Sequence, residues 1–252
     1  MLIVIVALFG LIVGSFLNVC IYRLPRRLSV VWPASRCTSC GRALRWYENI
    51  PVLSYLALGG RCRTCRAPIS IVYPVIELVT AATFLLMFAR FGLQPLLAVK
   101  LVFGCAMIVL LVIDLQHRIL PNAITVPGII AGVTASLLVP PPGWLDSVIG
   151  AVAGAGVLFA ISELYLRVRH EEGLGMGDVK MLGMIGAFLG WKLMLVTMVI
   201  ASILGSIVGL TVIAARKGGM KSALPFGTFL AIGALVAAVA GDAILDWYLG
   251  FY

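Results

Sequence analysis

Charged side chains are scarce in this chain. Only 12% of its 252 residues are Asp, Glu, Lys or Arg, while 62% are apolar. A soluble domain has about a quarter charged residues and about half apolar ones, so the composition excludes an ordinary soluble protein. Lipid offers no hydrogen-bond partner to exposed backbone. The sequence therefore predicts an all-α, polytopic transmembrane helical bundle.

Two further absences exclude other classes. The first apolar run has no positive n-region, and no small-residue cleavage site follows it, so we predict a retained span and not a cleaved signal peptide. The net charge is +9, but no aromatic pattern or motif accompanies it that would favour nucleic-acid binding. We therefore predict no nucleic-acid partner.

Several apolar runs approach or exceed the roughly 18 to 20 residues that cross a bilayer. About eight spans are predicted, and the fourth and sixth are short. Their ranges are 1–22, 72–89, 96–113, 123–138, 147–166, 179–190, 193–215 and 227–248.

The basic residues predict the orientation of these spans. With the N-terminus outside, the inside loops carry 16 of the 19 Lys and Arg residues. Basic residues accumulate in cytoplasmic loops, so both termini are expected on the outer, non-cytoplasmic side of the membrane. The basic inside face is also expected to contact anionic lipid headgroups.

One inside loop, residues 23–71, is long enough to fold by itself. It contains Cys37 and Cys40 in "RCTSC", and Cys62 and Cys65 in "RCRTC". Two matched Cys-x-x-Cys turns can present four thiolates to one Zn²⁺. Four thiolates leave no position for water, which favours a structural role, and so small an insert needs such a staple.

Other interpretations of these cysteines remain open. Two disulfides, four free thiols or a redox-active pair would each fit the spacing, although a reducing cytoplasm disfavours disulfides. Cys20 and Cys105 lie in apolar spans, where a packing role is expected.

Two aspartates are predicted at the same membrane boundary. Asp114 ends the third span on the inside, and Asp178 opens the sixth span there, after "GLGMG". Ionisable groups at membrane depth usually mark function. Two close carboxylates can share a proton and activate water, one as base and the other as acid. Glycines at 173, 175 and 177 would let an extended peptide approach.

Each aspartate also has a structural interpretation. Asp178 could be the N-cap of the sixth span, and Asp114 could be a polar residue that ends the third. Their matching depth favours the functional pair.

The chain resembles the type IV prepilin peptidases, which are intramembrane aspartyl proteases with a Gly-x-Gly-Asp signature. The matching segments are "GSFLNVCIYRLP" (14–25), "WYENIPVLSYL" (46–56), "YPVIEL" (73–78), "IDLQHRILPN" (113–122), "GMGDVKMLGMIGAFLGW" (175–191) and "PFGTFLAIG" (225–233). One departure is Thr38, where proline is more usual, and this should not affect metal binding.

The resemblance implies a bifunctional enzyme of type IV pilus and type II secretion systems. It would cleave the basic leader of prepilins or pseudopilins on the cytoplasmic side of the bacterial inner membrane. It would then methylate the new N-terminal residue with S-adenosylmethionine as co-substrate. The matching catalytic residues are Asp114 and Asp178. Glu171 and Glu172 could attract the basic leader or be solvated loop acids.

The methyltransferase half has no recognisable motif. No Gly-x-Gly-x-x-Gly follows a strand, so a Rossmann-type site is not predicted. Four polar residues near the inside boundary are candidates, with span-end anchoring and loop solvation as the alternatives. They are Asn18, Arg23, Glu48 and Glu77.

The predicted organisation has three parts: a first span (1–22), a four-cysteine insert (23–71) and a peptidase bundle (72–252). A peptidase without methyl transfer, a transporter and a zinc-anchored scaffold remain as alternative functions. Transporters often contain internal repeats, and the two aspartate segments share little pattern.

Overall fold

The computed structural model describes residues 1–170, 175–215 and 225–251, and these residues are predominantly helical. Eight α-helices follow in order: α1 (Leu2–Arg23), α2 (Leu53–Ala57), α3 (Val72–Phe91), α4 (Pro95–His117), α5 (Asn122–Leu138), α6 (Trp144–Arg169), α7 (Met176–Ala215) and α8 (Phe226–Leu249). In the described residues, β-structure is limited to two isolated bridges. The all-α prediction is confirmed.

Six helices of the described chain are long and apolar enough to cross a membrane, by length and composition. They are α1, α3, α4, α6, α7 and α8. The fourth predicted span is the shorter apolar helix α5, and the sixth and seventh both lie within α7. The predicted count of eight is therefore approximate.

Helix α7 is two helices joined at a break. Gly190 has φ 79° and ψ 168°, a conformation that is strained for residues with a Cβ. Gly177 precedes the break and lies near the first turn of α8, because it shares the neighbour Leu120 with Gly227. Gly205 follows the break and also lies beside the first turn of α8. The chain therefore reverses at Gly190. The segment before it has about 14 residues and is only about 21 Å long.

The chain divides into two compact units, Met1–Leu97 and Ala98–Tyr252. In the first, α1 and α3 pack closely and antiparallel. A methyl group on Gly14 would lie 2.7 Å from the Cα of Glu77, and Asn18 donates to the Tyr73 carbonyl at 3.0 Å. The insert connects the ends of these two helices.

In the second unit, α6 runs antiparallel to the first part of α7. A methyl group on Gly150 would lie 2.5 Å from the Gly186 carbonyl oxygen, so the two backbones approach as closely as small residues permit. Ser147 donates to the Ala187 carbonyl at 2.6 Å in the same interface.

The remaining helices of the second unit surround the first part of α7. Helix α5 runs parallel to it, with Gly128 beside Met184 and Gly132 beside Ala187. The last residues of α4 meet the first turn of α8, where Asp114 contacts Thr228. The C-terminal end of α4 and the N-terminal ends of α7 and α8 therefore lie at one end of this unit.

Candidate active site and metal centre

Asp114 is held at the end of α4 by the first turn of α8. Its side chain is buried, with the residue 5% exposed. Its Oδ2 accepts two hydrogen bonds from Thr228, one from the backbone N–H at 2.7 Å and one from the hydroxyl at 3.0 Å. The helix N-terminus carries partial positive charge, so α8 offers this carboxylate both donors and a favourable field.

Asp178 is positioned in the same way by the start of its own helix. Helix α7 begins at Met176, so Asp178 is the third helical residue, and the N–H of Gly175 donates to its carboxylate. The interpretation of Asp178 as an N-cap is therefore wrong in position. It instead resembles the acidic partner of a capping box.

The two aspartates lie at one site. Asp178 is close enough to Asp114 to be affected by its negative charge. Leu120 contacts both neighbourhoods: a methyl group on Gly177 would lie 2.9 Å from its Cβ, and one on Gly227 would lie 2.9 Å from its Cδ1 and 3.0 Å from Asp114 Oδ2. The structure therefore brings the two sequence-predicted aspartates together at the end of the bundle.

The glycines before Asp178 have different roles. Gly175 is exposed, and a methyl group there would make only ordinary van der Waals contacts, with Asp178 Oδ2 at 3.5 Å and Gly177 N at 3.9 Å. Gly177 is instead a glycine because Leu120 occupies the space of its side chain. Of the two predicted glycines that the structure describes, 175 and 177, only Gly175 retains the predicted open approach. Gly173, Glu171 and Glu172 lie outside the described residues.

Two further residues contribute to this site and were not predicted from the sequence, Thr228 and Leu120. Thr228 lies in the segment "PFGTFLAIG", and Leu120 lies in the segment "IDLQHRILPN". The available signal for Thr228 was a hydroxyl in the first turn of a span predicted to start on the inside, shortly after Pro225. Leu120 had no such signal, because its role depends on the meeting of three helix ends.

The four predicted cysteines form one cluster in the insert. Cys37, Cys40, Cys62 and Cys65 place their sulfur atoms within 4.8 Å of one another. Cys37 Sγ and Cys65 Sγ are 3.8 Å apart. A tetrahedron with Zn–S bonds near 2.3 Å has sulfur atoms about 3.8 Å apart. The cluster can therefore hold a metal ion.

The two Cys-x-x-Cys segments adopt the same backbone turn. Cys37 N–H donates to the Arg42 carbonyl and Gly41 N–H to the Cys37 carbonyl, both at 2.9 Å. In the second turn Cys62 N–H donates to the Ala67 carbonyl at 2.9 Å and Arg66 N–H to the Cys62 carbonyl at 3.0 Å. The internal resemblance seen in the sequence is thus a structural repeat.

Each turn stabilises the thiolate of its first cysteine. The backbone N–H groups of Cys40 and Ser39 lower the pKa of the Cys37 thiol. Those of Cys65 and Thr64 lower the pKa of the Cys62 thiol to about 6. Hydrogen bonds to the charged form favour it, and the thiolate is the form that binds metal.

The four polar candidates for methyl transfer share one cavity. Asn18, Arg23, Glu48 and Glu77 all line a space of about 700 Å³ within the first unit, between the insert and the neighbouring ends of α1 and α3. Arg23 donates to the carbonyls of Ser29 and Pro33, at 2.9 and 2.7 Å. Arg23 therefore also has the span-end anchoring role considered as its alternative.

Glu48 has a structural role within the insert. It accepts hydrogen bonds from Arg42 at 2.7 Å and from the Arg45 N–H at 2.8 Å. The hydrogen bond from Arg42 is the largest of the effects that hold the pKa of Glu48 below its usual range.

Two family models match the chain. The bacterial peptidase A24 N-terminal domain matches residues 8–91, and the type IV leader peptidase family matches residues 101–210. No solved structure gives a significant match.

Three similar proteins carry the name prepilin leader peptidase/N-methyltransferase. The Pseudomonas putida protein is 38% identical over 93% of this chain and 89% of its own length. The Pseudomonas aeruginosa protein is 34% identical and the Aeromonas hydrophila protein 36% identical, each over 97% of this chain and 92% of its own length. With aligned regions this extensive, the chain belongs to the type IV leader peptidase family.

Proposed function

We propose that this protein is an enzyme of the bacterial inner membrane that removes the leader of type IV prepilins or pseudopilins. We further propose that it N-methylates the residue exposed by the cleavage. The observation that carries the peptidase proposal is the meeting of Asp114 and Asp178 at one end of the second unit. The names of the similar proteins support both activities.

The aspartate pair would cleave the leader by activating water. Like charges at close range cannot both ionise readily, so the two carboxyl groups share a proton. One carboxylate accepts a proton from water as it attacks the scissile carbonyl, while the other donates to the carbonyl oxygen. Thr228 restricts the orientation of Asp114 through two hydrogen bonds. This would keep the Asp114 carboxylate oriented for proton transfer.

The substrate would lie along the exposed approach beside Gly175. A prepilin combines a basic leader with an apolar helix, so its cleavage point would lie at the membrane boundary, where we also place the two aspartates. The absence of a side chain at Gly175 leaves room for an extended peptide beside Asp178.

We assign zinc to the four-cysteine cluster. Cys37, Cys40, Cys62 and Cys65 would complete a tetrahedral shell, so the ion would stabilise the insert and leave no position for a catalytic water. We retain residues 1–22 as the first span, 23–71 as the zinc insert and 72–252 as the part that contains the peptidase. The methyl donor would be S-adenosylmethionine.

The direct test of both activities is incubation of the purified protein in detergent with a prepilin and methyl-labelled S-adenosylmethionine. Mass spectrometry should find a product that has lost its leader and gained one labelled methyl group at its N-terminus. A cleaved product without the methyl group would show a peptidase that lacks methyltransferase activity. An uncleaved substrate would contradict the proposed function.

We also propose that the insert and the aspartates face the cytoplasm and that both termini lie outside. The alternating directions of the helices within each unit are consistent with this topology. In a background lacking Cys20 and Cys105, cysteines introduced at Gly143 and Gly250 should react with an impermeant thiol reagent in intact cells. One introduced at Leu56, which is 67% exposed in the insert, should react only after lysis. The reverse labelling pattern would overturn the topology.

A further inference from the structure

The aspartate pair does not line the cavity of the first unit, whereas Cys37 and Cys62 of the metal cluster contribute to its wall. Its volume of about 700 Å³ lies within the range of small-molecule sites, about 300 to 1,000 Å³. It is lined by the C-terminal end of α1, by the insert and by the first turns of α3. Such a space could take a ligand of nucleoside size.

Glu77 places a buried carboxylate in the wall of this cavity. The residue is only 7% exposed, and its carboxylate accepts hydrogen bonds from the Val52 N–H at 2.7 Å and from Ser15. In the part of the chain that the structure describes, no Lys or Arg forms an ion pair with it. A buried carboxylate without a cation is unfavourable, so a positively charged ligand would supply the missing partner.

Glu48 provides the contrast within the same cavity. It is similarly buried, at 8% exposed, but it forms an ion pair with Arg42 at 2.7 Å. Its charge is already compensated within the protein. The two carboxylates therefore differ in what they can offer to a ligand, and of the two only Glu77 lacks a cationic partner among the described residues.

The backbone that faces Glu77 is also strained. Val52 has φ 60° and ψ −49°, a conformation that β-branched residues rarely adopt. Its N–H nevertheless points at Glu77 Oε2. Strain of this kind persists where the surrounding structure enforces it, and here it fixes the position of the Glu77 carboxylate at the cavity wall.

Aromatic side chains complete the wall. Tyr55 and Tyr73 line the cavity, together with the more exposed Trp32. Aromatic faces attract cations that lack their own hydrogen-bond donors, and they also stack on planar rings. A ligand that combines a heteroaromatic base with a sulfonium cation would use both properties.

We propose that this cavity is the methyl-donor site and that Glu77 is the carboxylate that recognises the positive charge of the sulfonium. The inference rests on the proposed methyltransferase function and names the place where its donor binds. It assigns Glu77 to ligand recognition, and it separates the methyl-donor site from Asp114 and Asp178 along the chain.

Two ligands that differ in the sulfonium charge test this assignment. S-adenosylmethionine carries it, while S-adenosylhomocysteine has a neutral thioether at the same place. The dissociation constants of both are measured by calorimetry for the full-length protein in detergent. Wild-type protein should bind the sulfonium ligand more tightly. Glu77→Gln should weaken its binding by about tenfold or more, with little change for the thioether.

The substitution is conservative, because a glutamine oxygen can still accept the Val52 N–H. Zinc content and the melting temperature report whether the variant is folded. The matched control is Glu163→Gln, which removes a partly exposed carboxylate that pairs with Arg167 in α6 and should leave both dissociation constants unchanged. A second variant, Ser54→Trp, adds a large side chain to the cavity wall and should weaken both ligands.

The outcomes separate this inference from the proposed function. An unchanged preference for S-adenosylmethionine in folded Glu77→Gln would overturn the role of Glu77. Unchanged binding of both ligands to folded Ser54→Trp would overturn the location. Wild-type protein that cleaves prepilin but binds neither ligand would contradict the methyltransferase function itself.

Discussion

Replacing Asp114 or Asp178 by asparagine is expected to abolish leader cleavage, because an amide can serve neither as a general base nor as an acid. Loss of acid–base catalysis alone lowers a rate by about 10² to 10⁴, and loss of the paired arrangement can lower it further. Both variants should remain folded. The amide oxygen introduced by Asp114→Asn can still accept from Thr228, and the one introduced by Asp178→Asn can still accept from the Gly175 N–H. The cleavage rate of each purified variant on a prepilin is the measurement.

Methylation distinguishes loss of the active site from general damage. Each variant should still methylate a substrate supplied without its leader, since methyl transfer needs no carboxylate from the pair. The matched control is Asp146→Asn: Asp146 accepts from Trp191 Nε1 at 3.0 Å near the break in α7, away from the pair. Its cleavage rate should stay close to that of the wild type. Near-normal cleavage by Asp114→Asn or Asp178→Asn would exclude the pair as the catalytic group.

Replacing Cys37 by serine is expected to remove zinc from the insert and to unfold it. Zinc binding to four-ligand sites of this kind contributes on the order of 10 kcal/mol to the folding of small domains. An insert of this size has little core of its own to compensate. Metal analysis should find about one zinc per wild-type chain and much less in the variant. Limited proteolysis between residues 27 and 70 should become faster.

The control for this substitution is Cys20→Ser. Cys20 is half-buried in α1 and is not a member of the cluster, so this variant should keep its zinc. Full zinc content in Cys37→Ser would contradict the assigned ligand set. Stoichiometric Cys37–Cys40 and Cys62–Cys65 disulfides in cells would contradict the metal site altogether.

The sequence predicted the helical architecture well because membrane spans depend on long apolar runs that are visible without any tertiary information. It could not predict how α7 is broken. Gly190 is one of 27 glycines, and only its positive φ, together with the contacts of Gly177 and Gly205, reveals the reversal. Six helices meet the criteria for a span in the described chain, and this break explains in part why the count differs from eight.

The approach of the two aspartates was also accessible from the sequence. Asp114 ends one span and Asp178 begins another, both at boundaries predicted to face inside, so alternating spans were expected to bring them to the same depth. The details of their support were not accessible. Thr228 reaches Asp114 across 114 residues, and Leu120 closes the space beside Gly177 and Gly227. These contacts depend on the azimuthal orientation of each helix, which hydropathy does not specify.

The metal cluster could be predicted from the sequence, whereas the role of Glu77 in the cavity could not. The spacing of Cys37, Cys40, Cys62 and Cys65 was sufficient to predict the cluster, because two repeated turns have a nearly fixed geometry. Glu77 was only one of four polar candidates. Its contrast with Glu48 depends on where Arg42 lies, and that position becomes known only with the fold of the insert.

The most direct test of the central claim is the cleavage rate of the double variant Asp114→Asn/Asp178→Asn compared with the two single variants. If the carboxylates act as one unit, the first substitution removes the whole contribution. The double variant should then be no slower than the slower single variant. A double variant whose rate falls by the product of the two single effects would show two independent contributions and contradict the shared mechanism.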